Sequence, residues 1–193
     1  HGIGGPLNVT DSLYHNPLSD IFIKAAAECG LTQNDDFNGI NHEGVGFYQV
    51  NQKNQQRHSA ATAYLKPVLS RKNLTVKTNS QVTRILFSGK KVIGLIYQDS
   101  HKSKNTEHQI KINKELILSA GTINSPQLLM LSGIGNSEHL KSLDIPVLID
   151  LPGVGQNLQD HLFVSIVYKC TKPITLANLD KPYNILKYLL FKK

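Results

Sequence analysis

Residues 116–161, LILSAGTINSPQLLMLSGIGNSEHLKSLDIPVLIDLPGVGQNLQDH, leave few folds open. An apolar run at 116–118, bounded by small residues, reads as a buried strand. Ser119, Ala120 and Gly121 then allow a tight turn. Ile123, Leu128, Leu129 and Leu131 follow at mostly helical spacing. Pro126 suits a first turn, where its missing N–H costs nothing, and Ser125 or Thr122 is the candidate cap. Gly133 is the expected left-handed stop. The unit is strand, small-residue turn, helix. A helix start facing a backbone stripped of side chains suits an anionic group such as a pyrophosphate. By itself the pattern is common in α/β proteins, and most such units hold no ligand.

The string itself says more. Gly121-Thr122-Ile123-Asn124-Ser125-Pro126-Gln127-Leu128-Leu129-Met130-Leu131-Ser132-Gly133-Ile134-Gly135 resembles the second signature of the glucose–methanol–choline (GMC) flavoprotein oxidoreductases. Leu151-Pro152-Gly153-Val154-Gly155-Gln156-Asn157-Leu158-Gln159-Asp160-His161 resembles the block that follows it in that family. Two long matches in the right order are specific, and essentially the whole chain fits the resemblance. Its look is nearest to the branch of choline-dehydrogenase-like and bacterial alcohol dehydrogenases.

Composition sets the outer bounds. A chain of 193 residues suffices for one domain or parts of two. It contains no run of about 18 apolar residues that would span a membrane. It lacks an initiator Met and reads as a piece of something longer. The net charge of +7 comes from lysines spread along the length. That distribution reads as a solvated basic surface, whereas a nucleic-acid binder clusters its cations with aromatics. Cys29 and Cys170 sit in no metal or CxxC spacing, so they read as buried apolar residues in a reducing compartment, the cytoplasm. A single disulfide between them stays open.

Gly2-Ile3-Gly4-Gly5 fails the dinucleotide fingerprint, because Pro6 and Leu7 stand where the spacing needs other residues. Residues 17–29 form a clear helix, capped by Asn16 or Ser19 and stopped by Gly30. Residues 31–45 read as a surface loop; Asp35, Asp36, Asn38 and Glu43 do not meet EF-hand spacing. Strands are expected at 46–52, 74–78, 81–87, 92–97, 109–112, 145–149 and 163–168, with a hairpin turn at 88–91 and a polar loop at 100–106. Ser59 caps a short helix that Pro67 limits. Further helices are expected at 137–143 and 179–191. Ordinary packing suits the last of these better than a membrane-surface role, since its basic face is thin. His58 has no metal-ligand partner at a suitable spacing, and Gly155 lets its loop pass close to something.

The fold class is α/β with mixed α+β character: part of an FAD/NAD(P)-binding-like domain plus part of a substrate domain built on a sheet with helices. The expected divisions are 1–70 (substrate domain and return segment), 71–161 (FAD-binding portion) and 162–193 (substrate domain again). The resemblance implies FAD as cofactor and oxidation of a small alcohol, with hydride passing to the flavin and on to oxygen or a quinone. It implies that Val82 offers its main-chain N–H and C=O to the adenine, a sensible pairing because adenine carries both a donor and an acceptor. Read from sequence alone, Val82 is a core valine. The resemblance further implies that Ala120 and Gly121 let main chain lie against the flavin nucleotide. Asn157, Asp160 and His161 brace their loop by hydrogen bonds, in contact with FAD or in a purely structural role. The family's catalytic base lies near the carboxyl end, so no catalytic residue and no metal ligand is assigned here. The alternatives are an inactive remnant or binding module that keeps the fold, and an α/β hydrolase using Asp160, His161 and a serine. The hydrolase is disfavoured because no G-x-S-x-G elbow exists.

Overall fold

Asn16 starts the first helix. Its side chain accepts the Leu18 N–H at 2.9 Å, and Pro17 fills the first position, where no N–H is needed. This helix, α1, spans Pro17–Glu28. The computed structural model describes residues 2–99, 106–172, 174 and 181–191. The expected polar loop at 100–106 therefore lies outside the described residues except for Thr106, as do positions 179 and 180 of the expected last helix. Two compact units emerge, one of His1–Thr75 with Ser165–Lys193 and one of Val76–Val164.

In the first unit, β1 (Gln52–Lys53) and β2 (Gln56–Arg57) form a minimal hairpin. Asn54 and Gln55 at its tip have φ of 51° and 59°. Two positive φ values in a two-residue loop are the mark of a type I′ turn, which matches strand twist. His58 follows and is buried. Its N–H goes to the Asn51 carbonyl at 2.8 Å, and its Nδ1 accepts the Asn8 N–H at 3.0 Å. Accepting at Nδ1 puts the proton of the neutral ring on Nε2. Asn8 also donates through Nδ2 to the Gln52 carbonyl at 2.6 Å. His58 thus clamps residues 8–10 beside 50–52, where Thr10 and Val50 form an antiparallel bridge.

Several expectations need correcting here. Residues 46–52 do not form a continuous strand; they are bridged to Thr10 at Val50, and Val45 just before them is bridged to Gln33. Ser59 does cap, accepting the Thr62 N–H at 3.3 Å. The helix it starts is a π turn over Ala61–Leu65 that tightens to a 3₁₀ turn over Lys66–Val68. Pro67 lies inside that second turn because a proline early in a turn has no bond to lose. Cys29 is exposed and Cys170 half-buried, both unpaired. The helical face leading to Cys29 is not covered: Ile21 and Phe22 are exposed too. The helix α4 (Pro182–Phe191) likewise shows Leu189 and Leu190 to solvent, while Tyr188 Oη donates to the Gln55 carbonyl at 3.3 Å.

The second unit is built on a three-stranded antiparallel sheet, β3 (Ser80–Ser88), β4 (Lys91–Asp99) and β5 (Glu107–Lys111), in that order. Gly89 and Lys90 turn between β3 and β4. Helix α2 (Gly121–Leu131) follows, then β6 (Ile134–Gly135), α3 (Ser137–Ser142) and β7 (Ile149–Asp150). Asn136 caps α3 by accepting the His139 N–H at 2.9 Å. β6 and β7 are parallel, joined by the α3 crossover as parallel strands require. Leu140 of α3 is fully buried, and Ile85, Tyr97, Leu128 and Ile134 complete this core.

Besides 46–52, four expected strands are absent as such. Residues 74–78, 116–118 and 163–168 have no ladder among the described residues, and 145–149 contributes its last residue to β7. Apolar alternation reports which faces seek burial; a strand also needs a neighbour for its N–H and C=O groups. Lys77 instead approaches the sheet through its side chain, with Nζ 5.4 Å from the Tyr97 ring centroid. Phe163, Val167 and Tyr168 are more than four-fifths exposed. Burying one such side chain contributes about 1.5–3 kcal/mol, so these uncovered residues mark faces shaped for contact.

Two substitutions test this account. Gly133 has φ +86°, and a Cβ there would stand 2.6 Å from the Pro146 carbonyl oxygen. Gly133→Ala is expected to cost about 2–3 kcal/mol through backbone strain and that clash, read as a lower urea midpoint. His58→Leu removes the partner of the half-buried Asn8 N–H and is expected to cost about 1–2 kcal/mol, with faster proteolysis near residues 8–10. An unchanged midpoint in either variant contradicts the packing described.

Candidate cofactor-binding site

Helix α2 carries two of the six expected site residues, Ala120 and Gly121, at its start. It starts one turn earlier than the sequence suggests, with Ala120 at the cap position and Gly121 as its first residue. Pro126 is therefore inside the helix, not in its first turn. Its ring removes the N–H that the Thr122 carbonyl would have received. At the helix start, Ser125 Oγ accepts the Ala120 N–H at 3.1 Å. Ala120 has no side-chain atom that could cap the first helical N–H groups, and no cap bond is made there among the described residues. Gly121 has φ +86°, and a Cβ there would meet nothing within 4 Å. The corner before α2 is therefore bare main chain beside open space, held in a conformation that suits glycine.

The far end of α2 is pinned to the sheet. Ser132 Oγ accepts the Ile85 N–H at 2.9 Å and donates to the Leu128 carbonyl at 2.6 Å. Val82 lies three residues before Ile85 on the same strand, half-buried and opposite Tyr97. Tyr97 in turn stacks on His108, with ring centroids 5.1 Å apart. The middle of α2 receives the loop 151–161. A Cβ on Gly155 would sit 3.4 Å from Met130 Cε and 3.8 Å from Pro126 Cβ. The close neighbour expected for Gly155 is thus α2 itself.

The remaining expected residues stay apart. Asn157, Asp160 and His161 are exposed. Asn157 has φ 57°, and its Oδ1 accepts from Gln159 Nε2 at 3.1 Å. Asp160 accepts the His161 N–H at 2.8 Å. These bonds shape the loop locally; the neighbours Asp160 and His161 are joined through a main-chain N–H, and Asn157 is bonded to neither. They also disfavour the hydrolase: Asp160 holds a main-chain N–H, and Ser125 and Ser132 both spend their hydroxyls on helix α2. In the first unit, segment 46–48 borders a groove between itself and α1, lined by Leu18, Phe22, Ile23, Phe47 and Tyr48. Sequence reasoning missed Ser132 and Met130 as the residues that tie these parts together. A serine one residue before the helix-stopping glycine was the available signal for the first; nothing in spacing marks the second.

A family model for GMC oxidoreductases matches residues 2–163. The chain belongs to the GMC oxidoreductase family. It is 47% identical over 181 residues to the mitochondrial choline dehydrogenase of Homo sapiens, covering 94% of this chain and 30% of that protein. It is 42% identical over 196 residues to the oxygen-dependent choline dehydrogenase of Staphylococcus xylosus, covering 100% of this chain and 34% of that one. Among solved structures, the FAD-dependent oxidoreductase from Chaetomium thermophilum superposes with a TM-score of 0.83 at 33% identity, over 100% of this chain and 34% of that chain. The chain spans about a third of the length of these relatives. The mixed helix-and-strand class expected from sequence holds. Among the described residues no helix is long and apolar enough to cross a membrane.

Ser132→Ala tests the pin between α2 and β3. Loss of both bonds, with the Ile85 N–H left unanswered, is expected to lower stability by about 1–3 kcal/mol. Ile85 amide exchange should rise with it. A variant as stable as the parent, with Ile85 equally protected, refutes the role given to this hydroxyl.

Proposed function

We propose that this chain supplies part of the FAD-binding and substrate regions of a flavin-dependent oxidoreductase that oxidises an alcohol to an aldehyde or ketone. The observation that carries the reading is the uncapped start of α2 behind the bare Ala120–Gly121 corner. Open space and main-chain donors there fit an anionic dinucleotide. Bound FAD would supply the hydride acceptor. Of this chain's own residues, Ala120 and Gly121 would let main chain lie against it, and Val82 would offer main-chain groups to its adenine. Asn157, Asp160 and His161 would hold their loop beside it. The unit Val76–Val164 takes the FAD-binding part, and the unit around α1 with segment 46–50 takes the substrate part. The names of the relatives above support a small alcohol of the choline class as substrate. Two unpaired cysteines suit a reducing compartment, and we place the protein in the cytoplasm.

No residue of this chain is given the role of base. The exposed apolar faces on α1, α4 and 162–168 suit coverage by further parts of such an enzyme. An inactive relative that keeps the fold is the competing reading. Expression within the complete reading frame separates the two. The enzyme reading expects a yellow protein whose flavin absorbance bleaches with choline or a simple alcohol. A colourless product that neither binds added flavin nor melts higher in its presence rejects it. The 193-residue chain alone is expected to show no turnover and weak or no FAD retention; alcohol oxidation by it alone would mean that a base lies within these residues.

A further inference from the structure

Strands β3 and β4 fall out of step beside Val82. Val82 stands opposite Tyr97 and Arg84 opposite Ile96, so Thr83 is an extra residue without a partner of its own. Its Oγ1 reaches the Ile96 carbonyl at 3.4 Å. This is a β-bulge, a device that re-aims a strand locally.

The direction of the re-aiming follows from the neighbouring bonds. Ile85, opposite Leu95, sends its N–H to Ser132 Oγ and therefore away from β4. Leu95, Ile96 and Tyr97 run in unbroken register with β5, so Leu95 and Tyr97 turn their main-chain groups to the same side. The pairs Ile85/Leu95 and Val82/Tyr97 thus share one type, in which the two residues exchange no hydrogen bonds. Val82 therefore faces its N–H and C=O away from β4. Consistent with this, the Val82 carbonyl accepts from Gln81 Nε2 at 3.3 Å. In a regular strand residue 82 would stand opposite Gln98, and its main chain would be consumed by the ladder.

We infer that Thr83 is a positioning residue for the adenine of a flavin nucleotide: its bulge turns the Val82 donor and acceptor onto the free edge of β3. The inference rests on the proposed flavin function. The hydrophobic pattern holds the bulge in place, since it keeps Val82 on the Tyr97 face; a one-residue slip would put Thr83 there instead.

Amide exchange in the unmodified protein, expressed within its complete reading frame and stripped of flavin, with AMP as probe, tests the inference. Arg84 and Leu86 amides should be protected, and the Val82 amide should exchange about tenfold faster or more. AMP titration should shift and slow the Val82 amide. Exchanging the two residues, Val82→Thr with Thr83→Val, favours the regular register; residue 82 should become protected and lose its AMP response. Thr83→Ser should keep both. A Val82 amide as protected as Arg84 in the unmodified chain overturns the role of the bulge and leaves the flavin reading standing. A fast Val82 amide that ignores AMP overturns adenine recognition at this edge, and Thr83 then positions nothing.

Discussion

The Ile85 N–H points out of its sheet, and the hydroxyl of Ser132 answers it at 2.9 Å. An unpaired main-chain donor at that position would carry the full cost of its lost hydration, about 1–3 kcal/mol. Satisfying it from the end of a helix couples two elements that have no ladder in common. The same hydroxyl returns a bond to the Leu128 carbonyl at 2.6 Å, a second donor to an oxygen that already accepts the Ser132 N–H at 3.1 Å. With that end pinned to β3, the direction of α2 relative to the sheet is set. The bare corner at its other end then opens where a nucleotide would lie.

Glycine and sulfur finish the arrangement. Gly133 allows the chain to reverse beneath Pro146 and enter β6, while its carbonyl accepts from Leu148 and Ile149 at 2.8 and 3.1 Å. Gly155 lets the loop after β7 lie on Met130, a pliable side chain that fills irregular space. Helix, turn and loop are thereby locked around one core of Ile85, Leu128, Ile134 and Leu140. The residues proposed for the cofactor are exposed or half-buried, and none belongs to that core. A rigid frame of this kind suits the main-chain site proposed above.

Parts of this frame were legible beforehand. Asn16 before Pro17, the Gly89 turn between alternating runs and Gly133 after an apolar run carry local reasons that act within a few residues. Residues 74–78, 116–118 and 163–168 carry alternation or apolarity just as clear, yet form no ladder among the described residues. A strand is a statement about two segments, and its pattern reveals one of them. The exposure of Phe22, Phe163 and Leu189 has the same origin: amphipathic sequence announces a face without naming what covers it.

By itself, then, the sequence determined the helices and hairpin whose stop and start residues are local, and the long matches that place the chain among the GMC oxidoreductases. Tertiary structure decided the rest. It chose Ser132 as the link from helix to sheet, put the extra residue of β3 at Thr83, and left Asn157, Asp160 and His161 bonded within their own loop. Each of these depends on register and approach between segments distant in sequence. A shift of one residue reverses the direction of every main-chain group in a strand, and no spacing along a single segment encodes that choice.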